Sequence, residues 1–333
     1  MLLAHLFGVK TLYPDPTMYE CTGTKDEFYP NLGIGLLYLL LGVIFQITYI
    51  PCVIVMNQPP LRSMPCFKVM IYMGVVDVAC LFICADLAGI WQITGQTYCH
   101  SPSFAYISGN LAMGWWSATC FCCVLLAFNR TFDILFPTKT RIFEGKLIYI
   151  WLVLPTAYFF FFSFFERPLI YDPRSFTFLF STNTDASLHL DPHIYDNVPH
   201  AINNGIVIVS LIAFYPVICG SLAYRIWKKK SNKISAMTRQ IILQSMVICG
   251  CHITGCFLYA YMQFFPVPTA FAVIGNLAWI GNHGLPGIVY ICLNKTVRSR
   301  VFILLGVRKS DIKKTVFTVT NITRRHTVAH IRM

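Results

Sequence analysis

Long apolar segments separated by short polar connections run through most of the chain. Seven of these segments have the roughly 20 residues that a helix, rising about 1.5 Å per residue, needs to cross the hydrocarbon core of a bilayer. They are continuously apolar, whereas the strands of a membrane barrel alternate polar and apolar residues over about 10 positions. The pattern predicts seven transmembrane helices, at 32–56, 66–91, 102–128, 147–165, 201–224, 240–264 and 269–293.

The distribution of charged residues predicts how these helices are oriented. Most of the 26 Lys and Arg lie in the first, third and fifth connections and in the C-terminal tail, while most acids lie in the N-terminal segment and in the connection after the fourth span. Because short loops rich in Lys and Arg stay in the cytoplasm, the N-terminus is expected outside and the C-terminus inside. No removed signal peptide is expected, since the first residues have no basic leader. The predicted parts are an extracellular segment at 1–31, the bundle at 32–293, and a cytoplasmic amphipathic helix and basic tail at 294–333.

The composition agrees with an all-α membrane protein. Hydrophobic residues make up 56% of the chain and charged residues 12%, which is more apolar than a soluble domain accommodates. The net charge of +12 follows from the basic loops, and no basic patch with interleaved aromatic residues indicates nucleic-acid binding. Most of the 14 cysteines lie within the predicted spans without the paired spacing of a zinc site, so neither a metal nor a cofactor is expected.

Two shorter segments have patterns of their own. After the last span, apolar residues share one helical face among basic residues, as in a helix that lies along the inner membrane surface; a simple basic anchor is the alternative. The residues on this face are Val297, Val301, Leu304 and Leu305. In the connection after the fourth span, FTFLF at 176–180 fits either a short strand over the mouth of the bundle or an irregular loop.

Four motifs together resemble a known family. They are YEC at 19–21, YIPCVIVM at 49–56, Asp77 in the second span, and CFCCVLLAFNR at 120–130. In this combination the chain resembles the nematode serpentine receptor class T chemoreceptors, within the rhodopsin-like G-protein-coupled receptor superfamily. The resemblance extends from about Tyr19 to Arg300.

This resemblance implies a function. It implies a chemosensory receptor that binds an extracellular small molecule or peptide in the outer half of the bundle and activates a cytoplasmic heterotrimeric G protein. The expected location is the plasma membrane, in the cilia of sensory neurons. A transporter or a ligand-gated channel with seven helices is the alternative, although no internal repeat of the kind found in transporters is present. An enzyme is not expected, because the two acids within the spans share one helix and no nucleophile motif is present.

Similarity to the wider superfamily assigns candidate switching residues at the inner end. Asn129-Arg130 resembles the acid-Arg pair that ends the third helix, and Tyr224 and Tyr290 resemble tyrosines of the fifth and seventh helices. About 42 Å of helix carries Arg130 across the hydrocarbon core to the inner interface; an arginine that only caps the helix at the lipid phosphates is the alternative. Because Asn129 is uncharged, the usual restraint between an acid and this arginine is expected to be missing, which implies either a different resting contact for Arg130 or looser basal control.

Other positions depart from the superfamily pattern. The sixth span has no Trp-x-Pro hinge, so a bend is expected at Gly250 or Gly255, and the seventh span has no lysine for a retinal Schiff base. The loop after the fourth span contains no cysteine to bond the third helix. Cys99 is expected above the membrane, and Cys21 is the other cysteine on the outer side. A Cys21–Cys99 disulfide is therefore predicted, which would hold the N-terminal segment over the bundle.

The second span carries two acidic residues. Asp77 is expected near the middle of the bilayer, where an ionisable side chain is costly unless it faces a polar interior. The resemblance implies that Asp77 meets Asn282 and His283, around water or a sodium ion; a hydrogen-bonded Asp with a structural role is the alternative. Asp86 is expected on the opposite face of the helix, with its carboxyl group reaching outward.

Candidate ligand-binding residues occupy the outer halves of the third, fifth, sixth and seventh spans. This mixture of aromatic and polar side chains suits a small organic or peptide ligand, although each residue is alternatively a packing residue. The candidates are Tyr106, Asn110, Met113, Asn203, Asn204, Tyr259, Gln263 and Asn276.

Overall fold

The structure is a computed structural model that describes Pro14, Tyr19, Cys21 and residues 27–136, 140–181, 195–228 and 236–308. Most of the segment predicted at 1–31 and the basic tail after residue 308 lie outside these residues. The described chain is mostly helical, which confirms the predicted all-α class. Its α-helices are α1 Leu32–Met56, α2 Pro65–Thr94, α3 Pro102–Leu135, α4 Leu147–Phe165, α5 Val198–Lys228, α6 Ala236–Phe264, α7 Thr269–Leu293 and α8 Lys295–Leu304.

The lengths of the helices follow from the thickness of a bilayer. Helices α1 to α6 each contain a stretch long and apolar enough to cross one, where every backbone N–H and C=O must be bonded within the protein. Helix α7 has the length, 25 residues, but Asn276, Asn282 and His283 interrupt its apolar sequence. All three side chains are buried, and α7 packs against α1, α2 and α6. Helix α7 therefore presents polar side chains to the interior of the bundle.

Helix ends are set by local capping. Asn31 begins α1 by accepting a hydrogen bond from the amide of Ile34 at 3.0 Å, and Asn294 begins α8 by accepting one from Val297 at 3.0 Å. Gly95 ends α2 with a φ of 72°, a left-handed conformation that glycine adopts without a steric penalty. Its carbonyl accepts a hydrogen bond from the amide of Tyr29 at 2.9 Å, which ties the end of α2 to the residues before α1.

Helix α2 contains one π-helical turn, at Phe82–Leu87. A π turn closes after five residues instead of four, so each residue rotates the chain less than in an α-helix. Asp86 consequently does not reach the face opposite Asp77. It points towards α1, where Gln46 donates a hydrogen bond from Nε2 to its Oδ2. The expectation that Asp86 reaches outward is wrong, because regular winding does not continue through α2.

The connection after α4 forms a short antiparallel hairpin. Strand β1, Ile170–Asp172, pairs with β2, Thr177–Leu179, so that Ile170 lies opposite Leu179. The strand alternative for 176–180 is therefore confirmed. The hairpin contacts α3 and α7 where α3 begins. We call this end of the bundle the hairpin end, and the opposite end, where α3 finishes, the Arg130 end.

Helix α8 follows α7 at the Arg130 end and packs against α1 and α7. The predicted helix forms, but its apolar residues do not act as one membrane-facing surface. Val297 and Val301 are buried against the bundle, whereas Leu304 and Leu305 are 45% and 58% exposed. Two of the four apolar residues are part of the core, and the position of the helix along a membrane surface stays a prediction.

Candidate functional site

A disulfide joins the N-terminal segment to the hairpin end. Cys21 and Cys99 are bonded, with 5.5 Å between their Cα atoms, as predicted from the sequence. Tyr19, two residues before Cys21, is buried, and its ring packs edge-on against Tyr106 of α3 at 5.4 Å and against Tyr195 at 6.0 Å. The disulfide and these rings hold the described part of the N-terminal segment against the bundle.

The hairpin is anchored to α1 and α2 by buried polar contacts. Tyr38 of α1 donates a hydrogen bond to the carbonyl of Phe176 at 2.8 Å. Tyr171 of β1 donates to Oε1 of Gln92 at 2.6 Å, and Nε2 of Gln92 donates to the carbonyl of Pro173 at 3.2 Å. Burial raises the pKa of Tyr171, which keeps its hydroxyl protonated as the donor in this pair. These bonds fix the hairpin in position across the bundle.

The second strand of the hairpin reaches the aromatic residues of α6 and α7. The ring of Phe178 packs edge-on against Trp279 of α7, with centroids 5.0 Å apart. The hydroxyl of Thr177 lies 3.3 Å from that of Tyr259 of α6. Any shift of β2 therefore acts directly on side chains of the two helices.

A cavity of about 110 Å³ lies beside the hairpin. It opens between β2, the residues that precede α5, and α6. Two predicted ligand-binding residues, Tyr259 and Gln263, line it, together with Phe180 and Met262. Gln263 uses Oε1 in a 3.3 Å contact with Nδ1 of His200, while its buried Nε2 has no partner among the described residues. The amide of Gln263 therefore offers a hydrogen-bond donor to a molecule in the cavity.

A buried network of amides continues from Gln263 into the bundle. Nε2 of His200 lies 3.3 Å from Nδ2 of Asn204, and Asn203 donates to Oδ1 of Asn204 at 3.0 Å. The indole N–H of Trp116 donates to the same Oδ1 at 3.1 Å. Because Oε1 of Gln263 only accepts, His200 carries its proton on Nδ1 and accepts on Nε2. Asn203 and Asn204, predicted as ligand residues, thus connect the cavity to α3.

Trp116 occupies the centre of an aromatic cluster formed by α3, α6 and α7. Its ring stacks on His252 of α6 with centroids 5.8 Å apart and planes at 9°. It meets the edges of His283 at 5.9 Å and Trp279 at 6.4 Å. Neither Trp116 nor His200 was identified from the sequence. The spacing of Trp116 within an apolar helix does not distinguish it from a packing residue.

Asp77 lies next to this cluster, on the side of the Arg130 end, and is fully buried. Its Oδ1 accepts from Nδ1 of His283 at 2.8 Å and from Thr119 at 3.1 Å, and its Oδ2 accepts from the hydroxyl of Tyr49 at 2.8 Å. The Tyr49 ring also packs edge-on against Tyr290 at 5.8 Å. Asp77 therefore ties together α1, α2, α3 and α7.

The predicted grouping of Asp77 with both Asn282 and His283 is only half correct. Asn282 makes no described hydrogen bond to Asp77; its amide lies instead against Gly255 of α6. The reason is geometric, since successive residues of a helix point about 100° apart and only one of the two can face α2. Tyr49 and Thr119 take the remaining positions around the carboxyl group and were not predicted.

Arg130 forms an ion pair within its own helix. Its Nη1 lies 3.4 Å from Oδ2 of Asp133, one turn later in α3. The Arg130 side chain is 12% exposed, and its Nε and Nη2 have no partner among the described residues. The usual restraint by an acid at position 129 is absent, as the sequence predicts, and Arg130 has a different contact, with Asp133.

The four predicted switching residues do not form one cluster in this conformation. Asn129 is buried in α3, and Tyr290 is buried beside Tyr49. Tyr224, near the end of α5, is 53% exposed. Arg130 and Tyr290 thus lie in separate groups, and Tyr224 is on the surface.

The remaining predicted ligand residues lie deeper than the cavity or beside it. Tyr106 packs on Tyr19, and the others are buried within α3 and α7. These buried residues are Asn110, Met113 and Asn276. Among the described residues, no group of three or more His, Cys, Asp or Glu is arranged to hold a metal ion.

Comparison with known proteins gives two matches that cover most of the chain. The family model described as serpentine type 7TM GPCR chemoreceptor Srt matches residues 3–314. The chain is also 27% identical over 314 residues to serpentine receptor class T-55 of Caenorhabditis elegans. That alignment covers 90% of this chain and 84% of the relative.

Proposed function

Because the chain belongs to the serpentine 7TM GPCR chemoreceptor family Srt, we propose that it binds a small molecule at the hairpin end and activates a heterotrimeric G protein at the Arg130 end. The chain is a multi-pass membrane protein of a chemosensory receptor family, which is not a family of enzymes. Family membership also favours a receptor over the transporter or channel considered from the sequence.

The proposed orientation places the hairpin end outside the cell. Disulfides persist in oxidising compartments, and Cys21–Cys99 lies at this end. Most Lys and Arg residues belong to the connections and the C-terminal segment at the other end, where the positive-inside rule expects the cytoplasm. With this orientation, residues 1–31 are extracellular and residues 294–333 are cytoplasmic. We propose the plasma membrane of sensory cilia as the site of action, where an outward-facing cavity meets external chemicals.

The observation that carries the proposal is a continuous path of contacts from the cavity to the bundle centre. The path begins at Gln263, passes through His200 and Asn204 by hydrogen bonds, and reaches Trp116. Trp116 contacts His283, which bonds Asp77. A ligand that bonds the free amide N–H of Gln263 changes the first link of this path. Its binding energy can thereby favour one of two arrangements of α6 and α7.

The size of the cavity favours a small molecule over a peptide. A space of about 110 Å³ holds only a few non-hydrogen atoms, well below the 300–1,000 Å³ typical of drug-sized ligands. The donor on Gln263 favours a neutral molecule with an oxygen acceptor, such as a ketone, an ester or an alcohol.

At the Arg130 end, we propose that activation breaks the ion pair between Arg130 and Asp133. The pair is partly exposed and joins residues of one helix, so its contribution to stability is small. A G protein that accepts hydrogen bonds from the released guanidinium would then stabilise the active arrangement. Tyr224, exposed on α5, lies on the surface that such a partner would contact.

A functional screen tests both ends of this proposal. The full chain with an N-terminal epitope would be expressed in a heterologous cell, with second messengers measured after addition of small neutral odorants. Gln263→Leu is expected to lower the potency of an active compound about tenfold, because one hydrogen bond is lost. Arg130→Ala is expected to abolish the response to every compound.

Surface staining of intact cells supplies the control for folding and orientation. The epitope is expected to be accessible in the wild type and in both variants. Arg141→Ala, at the same end and exposed, is the matched control for loss of a basic residue and is expected to signal normally. Undiminished signalling by Arg130→Ala would contradict the coupling role, and an epitope hidden in intact cells would contradict the orientation.

A further inference from the structure

A second and larger cavity lies at the Arg130 end, away from the hairpin. It is a groove of about 520 Å³ between the first turns of α6 and the junction of α7 with α8. Its lining includes Leu243, Met246, Cys292, Leu293, Lys295 and Arg298. None of the residues recorded in its lining takes part in the path from Gln263 to Asp77. The groove therefore has no part in the proposed ligand site.

One wall of the groove is apolar and open to the surroundings. Leu243 and Met246 of α6 are 48% and 36% exposed, and Leu293 at the end of α7 is half-buried. The stretch of α6 that is long and apolar enough to cross the membrane includes Leu243 and Met246, so their side chains lie where lipid acyl chains reach the protein. The volume of the groove is in the range of small-molecule sites, which is enough for a segment of alkyl chain.

The other end of the groove is positively charged. Lys295 is exposed, and Arg298 donates from Nη1 to the carbonyls of Cys292 at 3.0 Å and Ile291 at 3.4 Å. These carbonyls end α7, so the guanidinium is held in place at the mouth of the groove. A guanidinium has five N–H donors, and the described hydrogen bonds of Arg298 use only Nη1. Among the described residues that line the groove none is acidic, so no described carboxylate compensates the two charges there.

We propose that this groove binds an anionic glycerophospholipid. The phosphate accepts hydrogen bonds from Lys295 and Arg298, and one acyl chain lies along Leu243, Met246 and Leu293. A free phosphate or a soluble metabolite would not use the open apolar wall, and a zwitterionic lipid such as phosphatidylcholine would bring its own cation beside the two bases and leave their charge uncompensated. Basic side chains next to a membrane-spanning helix attract acidic lipids.

Because α6 forms one wall of the groove and α7 with α8 forms the other, a bound lipid bridges helices that face each other across it. A bound lipid therefore stabilises the present distance between α6 and α7 and opposes their separation. This consequence is independent of which ligand occupies the cavity at the hairpin end, and it does not require a G protein.

Photolabelling of the full chain in nanodiscs tests the proposal. Two samples of phosphatidylcholine nanodiscs would be prepared, each with a trace of a lipid that carries a photoactivatable diazirine in one acyl chain. The labelled lipid is phosphatidylserine in one sample and phosphatidylcholine in the other. The serine lipid is expected to label the peptide that contains Leu243 and Met246 more strongly. Lys295→Gln should lower this labelling about fivefold, and Lys295→Gln with Arg298→Gln about 25-fold, since each base contributes about fivefold in attraction to an acidic lipid.

Two further variants separate charge from shape. Met246→Trp fills the groove without changing its charge and is expected to lower labelling of this peptide. Arg141→Gln with Lys146→Gln removes two exposed bases of the same end and is expected to leave labelling unchanged. If the double variant of Lys295 and Arg298 fails to fold by gel filtration, exposed Lys295→Gln alone decides the charge question.

Three outcomes would overturn the proposal. Equal labelling by the serine and choline lipids would show that the groove does not select charge. Equal losses in the two pairs of basic variants would show general attraction to the membrane surface. Displacement of the label by glycerophosphoserine, which lacks acyl chains, would show a site for a soluble phosphate in place of a lipid.

Discussion

Removal of single hydroxyl groups around Asp77 tests the geometry of the bundle centre atom by atom. Among the described residues, Oδ2 of Asp77 accepts from Tyr49 alone, whereas Oδ1 accepts from both Thr119 and His283. Tyr49→Phe therefore leaves a buried carboxyl oxygen without a described donor. Thr119→Val also removes a hydroxyl that donates to Asp77, but it leaves Oδ1 bonded to His283.

The two variants should differ in stability because of this asymmetry. A buried acceptor that loses its last donor costs about 1–3 kcal/mol, and a bond lost from a group that keeps another donor costs about 0.5–1.5 kcal/mol. We expect Tyr49→Phe to lower the free energy of unfolding by about 2 kcal/mol and Thr119→Val by about 1 kcal/mol. At about 2 °C per kcal/mol for a chain of this size, the melting temperatures fall by about 4 °C and about 2 °C.

The assay is thermal unfolding of the purified full chain in detergent, followed with a thiol-reactive fluorophore. Most free cysteines are buried, so the dye reacts as the bundle opens. Tyr72→Phe is the matched control, because its hydroxyl bonds Thr156 at 3.0 Å, away from Asp77. A melting temperature that falls as far for Thr119→Val as for Tyr49→Phe would refute the reasoning. So would equal effects of Tyr49→Phe and Tyr72→Phe.

Two further predictions concern the ends and the interior of the bundle. Replacement of Cys21 and Cys99 by Ser opens a loop with a sequence separation of 78, and the gain in chain entropy of the unfolded state is expected to lower the free energy of unfolding by about 4 kcal/mol. The melting temperature of the wild type in reductant should fall to that of the variant. A variant that melts at the temperature of the oxidised wild type would contradict this prediction. Gly255→Ala should destabilise the protein by about 1–3 kcal/mol because its Cβ would collide with the amide of Asn282. A Cβ at Gly250 would have no neighbour within 4 Å, so Gly250→Ala should stabilise α6 by about 0.5–1 kcal/mol. A higher melting temperature for Gly255→Ala than for Gly250→Ala would contradict the packing of α6 on α7.

Features imposed by a bilayer could be predicted from the sequence. The limits of α1, α4 and α7 agree with the predicted spans, because a hydrocarbon layer requires long apolar helices whatever their neighbours. The Cys21–Cys99 disulfide could be predicted for a related reason. Once the spans are assigned, few cysteines remain on the outer side.

The partners of individual side chains could not be predicted in the same way. Asn282 and His283 are adjacent and both polar, so hydropathy does not indicate which of them faces Asp77. Asp133 belongs to the ion pair of Arg130, but comparison with a family motif directed attention to Asn129. In each case the choice depends on the rotation of a helix about its axis, and a turn such as Phe82–Leu87 changes that rotation without a clear signal in the sequence.

The π turn in α2 also determines where the chain tolerates changes in length. It contains one more residue than an α-helical turn needs, so deletion of exposed Phe82 restores regular winding and leaves both halves of α2 facing their present neighbours. The same deletion in a regular part of α2 would rotate the residues on one side of it by about 100° away from their present partners. Phe82–Leu87 is thus the segment of α2 in which this chain can lose a residue without rebuilding the bundle.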